Sequence, residues 1–78
     1  MPDIPVMRSK DFLKCLLRFG CEEIHVRGSH HKLYYPETGL AAPVAVHGGK
    51  DITKAVFIGT LKQLGIDVDE FLAFIKKN

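Results

Sequence analysis

A chain of 78 residues has room for one modest core, because a domain of this size buries only about 60% of the surface that its unfolded chain exposes. Hydrophobic content of 46%, charged content of 26% and a net charge of +2 are those of an ordinary globular domain, one that can meet an anionic partner without being driven to one. No apolar run is long enough to span a bilayer, Met1 to Pro5 lacks the form of a signal peptide, and Cys15 and Cys21 are too few for a disulfide framework.

The expectation is therefore a single cytoplasmic domain over residues 1–78, with reduced thiols and no membrane contact. A deep pocket for a small-molecule cofactor would cost core that so short a chain can hardly spare, so any site is expected to be shallow.

Residues 1–8 form a short lead-in with two prolines and no period. Ser9 then reads as an N-cap, and Phe12, Leu13, Leu16 and Leu17 recur at helical spacing to Gly20, which predicts a helix over Lys10 to Phe19. From Cys21 the period becomes two. Ile24 and Val26 alternate with Glu23, His25 and Arg27 as in a half-buried strand. Gly28-Ser29 makes a turn into a second strand, His30 to Tyr35, and Pro36-Glu37-Thr38-Gly39 turns into a third, about Ala41 to His47.

A second helix is predicted over Asp51 to Leu64, with Ile58, Leu61 and Leu64 as its core stripe and Gly65 as its stop. Asp67 caps a third, which buries Phe71, Leu72 and Ile75 and runs to about Lys76. The order α-β-β-β-α-α is an α+β fold: a three-stranded antiparallel sheet with helices on one face.

Strand parity predicts a surface. If Ile24, Val26, Leu33, Tyr35, Val44 and Val46 face the helices, then Glu23, His25, Arg27, His30, Lys32, Tyr34, Ala45 and His47 face solvent, and His31 turns inward near the sheet's edge. That open face suits a phosphodiester. Cations neutralise phosphate, histidine moves protons near neutral pH, and Tyr34 offers a ring for a base to stack on. A merely polar solvated face is the plain alternative.

Other chemistries fit less well. Four histidines could in principle bind zinc, but His30 and His31 point to opposite faces and no ligand spacing supports a site. Cys15 lies within a helix and Cys21 reads as a small buried group, so neither resembles a nucleophile. Gly48-Gly49-Lys50 lacks the length and the hydroxyl residue of a phosphate loop, and is a turn with a useful cation.

Arg27-Gly28-Ser29-His30-His31, the Pro-x-x-Gly-like turn after it, a strand ending at His47 and Leu61-Lys62-Gln63-Leu64-Gly65-Ile66 before Glu70-Phe71 together resemble the HicA family of toxins, small mRNA interferases of toxin–antitoxin pairs. The resemblance runs from about Met7 to Phe74. It implies a double-stranded-RNA-binding-like fold, cleavage of mRNA centred on His30, and a HicB-type antitoxin that covers this histidine. Metal-independent cleavage through the RNA's own 2′-hydroxyl would then use His30 as general base or acid, with Arg27 and Lys32 on the phosphate. Ser29, Tyr34, His25, His47 and Lys50 complete the expected RNA-binding set. A second proton-transfer group is needed, and His25, His47 and Tyr34 are its candidates, the two histidines ahead of the phenol. Where relatives often carry Gly-Thr-Leu this chain has Ala55-Val56-Phe57, which makes Phe57 a candidate exposed contact for the antitoxin. The rival reading is an RNA-binding module without catalysis, or a decayed toxin that acts only through a protein partner.

Overall fold

The computed structural model describes residues 3–77; Met1, Pro2 and Asn78, the ends of the expected domain and of its lead-in, lie outside them. The elements are α1 (Ser9–Phe19), β1 (Glu22–Arg27), β2 (His30–Tyr35), β3 (Leu40–Ala45), α2 (Lys54–Leu64) and α3 (Val68–Lys77). The strands form one antiparallel sheet in the order β1-β2-β3. The helices cover one of its faces and leave the other open, the α+β arrangement that the sequence predicts.

Local chemistry sets the helix ends. Gly20, at φ +127°, terminates α1 in a conformation open to a residue without a Cβ, and the Cys21 N–H returns to the Leu16 carbonyl at 3.0 Å. The Thr53 hydroxyl accepts from the Val56 N–H at 3.1 Å, so α2 starts at Lys54 rather than at Asp51. Asp51 instead pairs its backbone with Arg8 in an isolated bridge. Asp67 caps α3 as expected, accepting from the Glu70 N–H at 3.1 Å.

The core lies between the helices and the inner faces of β2 and β3. Phe12 of α1, Phe57 of α2 and Phe71 of α3 are fully buried and form a ring cluster, with centroids 5.0 Å (Phe12–Phe57), 6.0 Å (Phe12–Phe71) and 5.7 Å (Phe57–Phe71) apart. Each such burial is worth roughly 1.5–3 kcal/mol before packing is counted. Leu33, Ala42 and Val44 close the core from the sheet side.

Beyond the start of α2, five expectations about caps, burial and sheet faces need correction. Phe57 is not an exposed contact: it is 0% exposed, and Val56 beside it is the open residue at 49%. In α2, Phe57 and Thr60 join Leu61 and Leu64 on the buried side, leaving Ile58 only half-buried. In α3, Ile75 is half-buried at the margin of the core rather than within it. Ser9 is not the N-cap: Arg8 takes that place without a side-chain bond, and Ser9 is the first helical residue, with its hydroxyl turned into the protein.

The fifth concerns β1. All six of its residues are exposed, Ile24 and Val26 included, because the helices pack beneath β2 and β3 and do not reach the edge strand. A bulge between Glu23 and His25 also leaves Ile24 out of the pairing, which moves Glu23 to the inner side, opposite Leu33, and puts Glu22 on the open face, opposite Tyr34.

Candidate functional site

The bulge keeps His25 and Arg27 on the outer parity, where the sequence expects them. His25 pairs with Lys32 and Arg27 with His30, so these four residues occupy adjoining cross-strand positions on the open face. Side chains directly opposite one another on a face have Cβ atoms only about 4.5–5.5 Å apart. Tyr34 extends the β2 row towards Glu22.

Across the other ladder, His30, Lys32 and Tyr34 stand opposite Ala45, Pro43 and Ala41. All three β3 partners are small. The row His30, Lys32 and Tyr34 therefore has only small side chains beside it on that flank. Pro43 is tolerated because β3 is an edge strand, whose outward backbone needs no N–H donor.

The turn that presents His30 is two residues long. Gly28 has φ +60° and Ser29 is not in a positive-φ conformation, the combination of a type II′ hairpin with glycine first. Ser29 is half-buried, and its carbonyl accepts from the Val46 N–H at 2.8 Å, which ties the turn to the end of β3.

His47 lies two residues beyond β3, where the sequence placed it within the strand. It is exposed, and its backbone is held by Ser9, whose hydroxyl donates to the His47 carbonyl at 3.1 Å and accepts from the His47 N–H at 3.0 Å. Ser9 itself is 3% exposed. With Ala45, Lys50, Asp51 and Val56, His47 and Ser9 line a groove of about 170 Å³ at the rim of the open face. Ser9 escapes sequence reasoning because its partner is 38 residues away.

The side chains of Arg27, His30, Lys32 and Lys50 make no hydrogen bond or ion pair among the described residues, so their charge and donors are directed to solvent. The histidine that does find a partner is His31, on the inner parity as expected. Its Nδ1 meets the Glu23 carboxylate that the bulge has turned to that side.

No group of three or more histidine, cysteine, aspartate or glutamate side chains able to hold a metal occurs among the described residues. Both cysteines are free. Burial raises the Cys15 thiol above its usual range and pushes Cys21 up to about 11, the reverse of nucleophile activation. No helix among the described residues is long and apolar enough to cross a membrane.

The arrangement thus offers an open sheet face with two unpaired cations, an exposed histidine between them and a stacking ring, flanked by a groove with a second histidine. Residues 9–66 match the family model described as the HicA toxin of bacterial toxin–antitoxin systems. No curated protein is significantly similar to the chain in sequence.

Proposed function

The chain belongs to the HicA toxin family of bacterial toxin–antitoxin systems, and from that premise we propose that it is a ribonuclease that cuts mRNA on the open sheet face with His30 as a catalytic residue. The observation that carries this reading is the directed, unpartnered set Arg27, His30 and Lys32, held in adjoining cross-strand positions.

In the proposed reaction the RNA 2′-oxygen attacks the adjacent phosphorus. The O2′–P bond forms, the P–O5′ bond breaks, and the products are a 2′,3′-cyclic phosphate and a 5′-hydroxyl. His30 takes the 2′-hydroxyl proton or supplies one to the departing 5′-oxygen. Arg27 and Lys32 neutralise the non-bridging oxygens as charge builds on them. Tyr34 gives a base a stacking surface, and Ser29, His25, His47 and Lys50 extend the contact over β1 and the adjoining turn and loop. The chemistry needs no metal and no cofactor.

A HicB-type antitoxin would silence the protein by covering the same face. Val56, half exposed at the groove beside His47, replaces the buried Phe57 as the apolar residue open to that partner.

Purified protein, a defined single-stranded RNA and a chelator test the reading. The expected result is cleavage that survives chelation and leaves cyclic-phosphate ends, with a loss of about 10²–10⁴-fold in His30→Ala. One observation favours a second reading, RNA binding without cleavage: the His30 ring has no protein partner among the described residues to fix its tautomer. In that case wild type and His30→Ala bind RNA alike and neither cuts it.

A further inference from the structure

Cleavage through the 2′-hydroxyl requires two proton transfers, one from the 2′-oxygen and one to the 5′-oxygen, and His30 cannot perform both at once. We propose that His47 is the second proton-transfer group and that Ser9, which touches no substrate, is the residue that positions it. This assignment rests on the ribonuclease reading above.

Three observations single out His47. The 2.8 Å bond from the Val46 N–H to the Ser29 carbonyl ties together the residues that immediately precede the two histidines, His30 after Ser29 and His47 after Val46. Ala45 stands directly opposite His30, and His47 follows it by two residues, just past the end of β3.

The third observation is the Ser9 clamp. A serine on the first turn of α1, buried to 3% exposure, spends its hydroxyl on both backbone groups of one residue, and that residue is His47. The neighbouring backbone reinforces it, since the Ser9 N–H donates to the Lys50 carbonyl at 3.2 Å and the Ile52 N–H to the Met7 carbonyl at 3.0 Å. The loop after β3 is thereby stitched to the start of α1. His25 has no such support, standing on a fully exposed edge strand beside a bulge.

The surroundings of His47 fit a proton-transfer group at a phosphate. The charged groups lining its groove are Lys50 and Asp51, from its own loop; α1 contributes Ser9, the cap of α2 contributes Thr53 and α2 contributes Val56, none of which titrates. Lys50 supplies a cation for the phosphate. In the balanced reaction one histidine accepts the 2′-proton while the other protonates the 5′-oxygen. The pair ends with its protons exchanged and nothing else consumed.

The test is single-turnover cleavage of a defined RNA across pH by wild type, His47→Ala, Ser9→Ala and the double variant, with folding of each followed by circular dichroism. The expected wild-type profile is a bell, which loses one limb in His47→Ala together with about 100-fold or more in rate. Ser9→Ala is expected to lose about tenfold in cleavage rate with little change in RNA affinity, and to cost nothing further when His47 is already alanine. That non-additivity separates positioning from a general weakening of the fold, which would lower both backgrounds alike. His47→Ala that cuts within about threefold of wild type overturns the assignment of His47. A Ser9→Ala loss that persists undiminished in the His47→Ala background overturns the positioning role. Absence of cleavage by wild type overturns the ribonuclease reading itself, and is distinguished from both by the wild-type control.

Discussion

Arg27 and His30 stand directly opposite each other across the β1–β2 hairpin, joined by the two-residue turn Gly28-Ser29. The pairing sets a cation beside the proposed catalytic imidazole on the same sheet face, and no acidic side chain among the described residues neutralises it. Arg27→Ala is expected to weaken RNA binding and to reduce the slope of log affinity against log salt by about 0.7, the value for one phosphate contact on a single strand. Titrating a labelled RNA at several salt concentrations measures both. An unchanged slope would mean that Arg27 meets no phosphate.

Phe57 and Val56 are neighbours with opposite fates. Phe57→Ala empties the centre of the phenylalanine cluster and is expected to cost about 3–5 kcal/mol, enough to leave a domain of this size barely folded. Val56→Ala is expected to change stability by no more than about 0.5 kcal/mol. Denaturant unfolding of the two variants checks the contrast.

Tyr35 donates its hydroxyl to the Glu37 carboxylate, and that bond, aided by burial, pushes its pKa up to about 12. An unfolded tyrosine titrates near about 10. Between those values the unfolded chain has lost a proton that the folded chain keeps, so the contribution is fully present below about pH 10 and falls as pH rises towards 12. In a Tyr34→Phe background the remaining phenol can be followed by ultraviolet absorbance. Glu37→Gln is expected to bring its titration back towards the ordinary value.

Gly65 ends α2 at φ +73°, and a Cβ there would lie 2.9 Å from Thr38 Cγ2. Thr38 is itself anchored, its hydroxyl donating to the Leu64 carbonyl at 2.6 Å. Gly65→Ala is expected to cost at least about 1–2 kcal/mol from backbone strain alone, with the contact added to it. Adding Thr38→Ser removes the clashing methyl but not the strain, so thermal unfolding should show a partial recovery.

Much of this fold is legible because its rules are local. Gly20, Asp67 and the Gly28-Ser29 turn each act within a few residues, and the alternation in β2 and β3 reports a face that helices actually cover. The failures are non-local. Ile24 and Val26 carry an inward pattern that the helices do not reach, and a one-residue bulge exchanges the faces of Glu22 and Glu23. The local sequence cannot show that Phe57 completes a cluster with Phe12 and Phe71, 45 and 14 residues away by numbering. For the candidate site the outer positions of His25, Arg27, His30, Lys32 and Tyr34 follow from parity. The hold on His47 does not, since serine before a helix reads as a cap whatever its hydroxyl bonds.

Placing a histidine at the centre of a toxin's chemistry is tested most directly by induced expression of the wild type and His30→Ala in a bacterial host, following growth and mRNA integrity together. The expected result is arrest with loss of intact mRNA for the wild type, and normal growth with intact mRNA for a soluble His30→Ala. Equal arrest by both proteins, with mRNA left whole, would contradict it and move the toxicity to RNA binding alone.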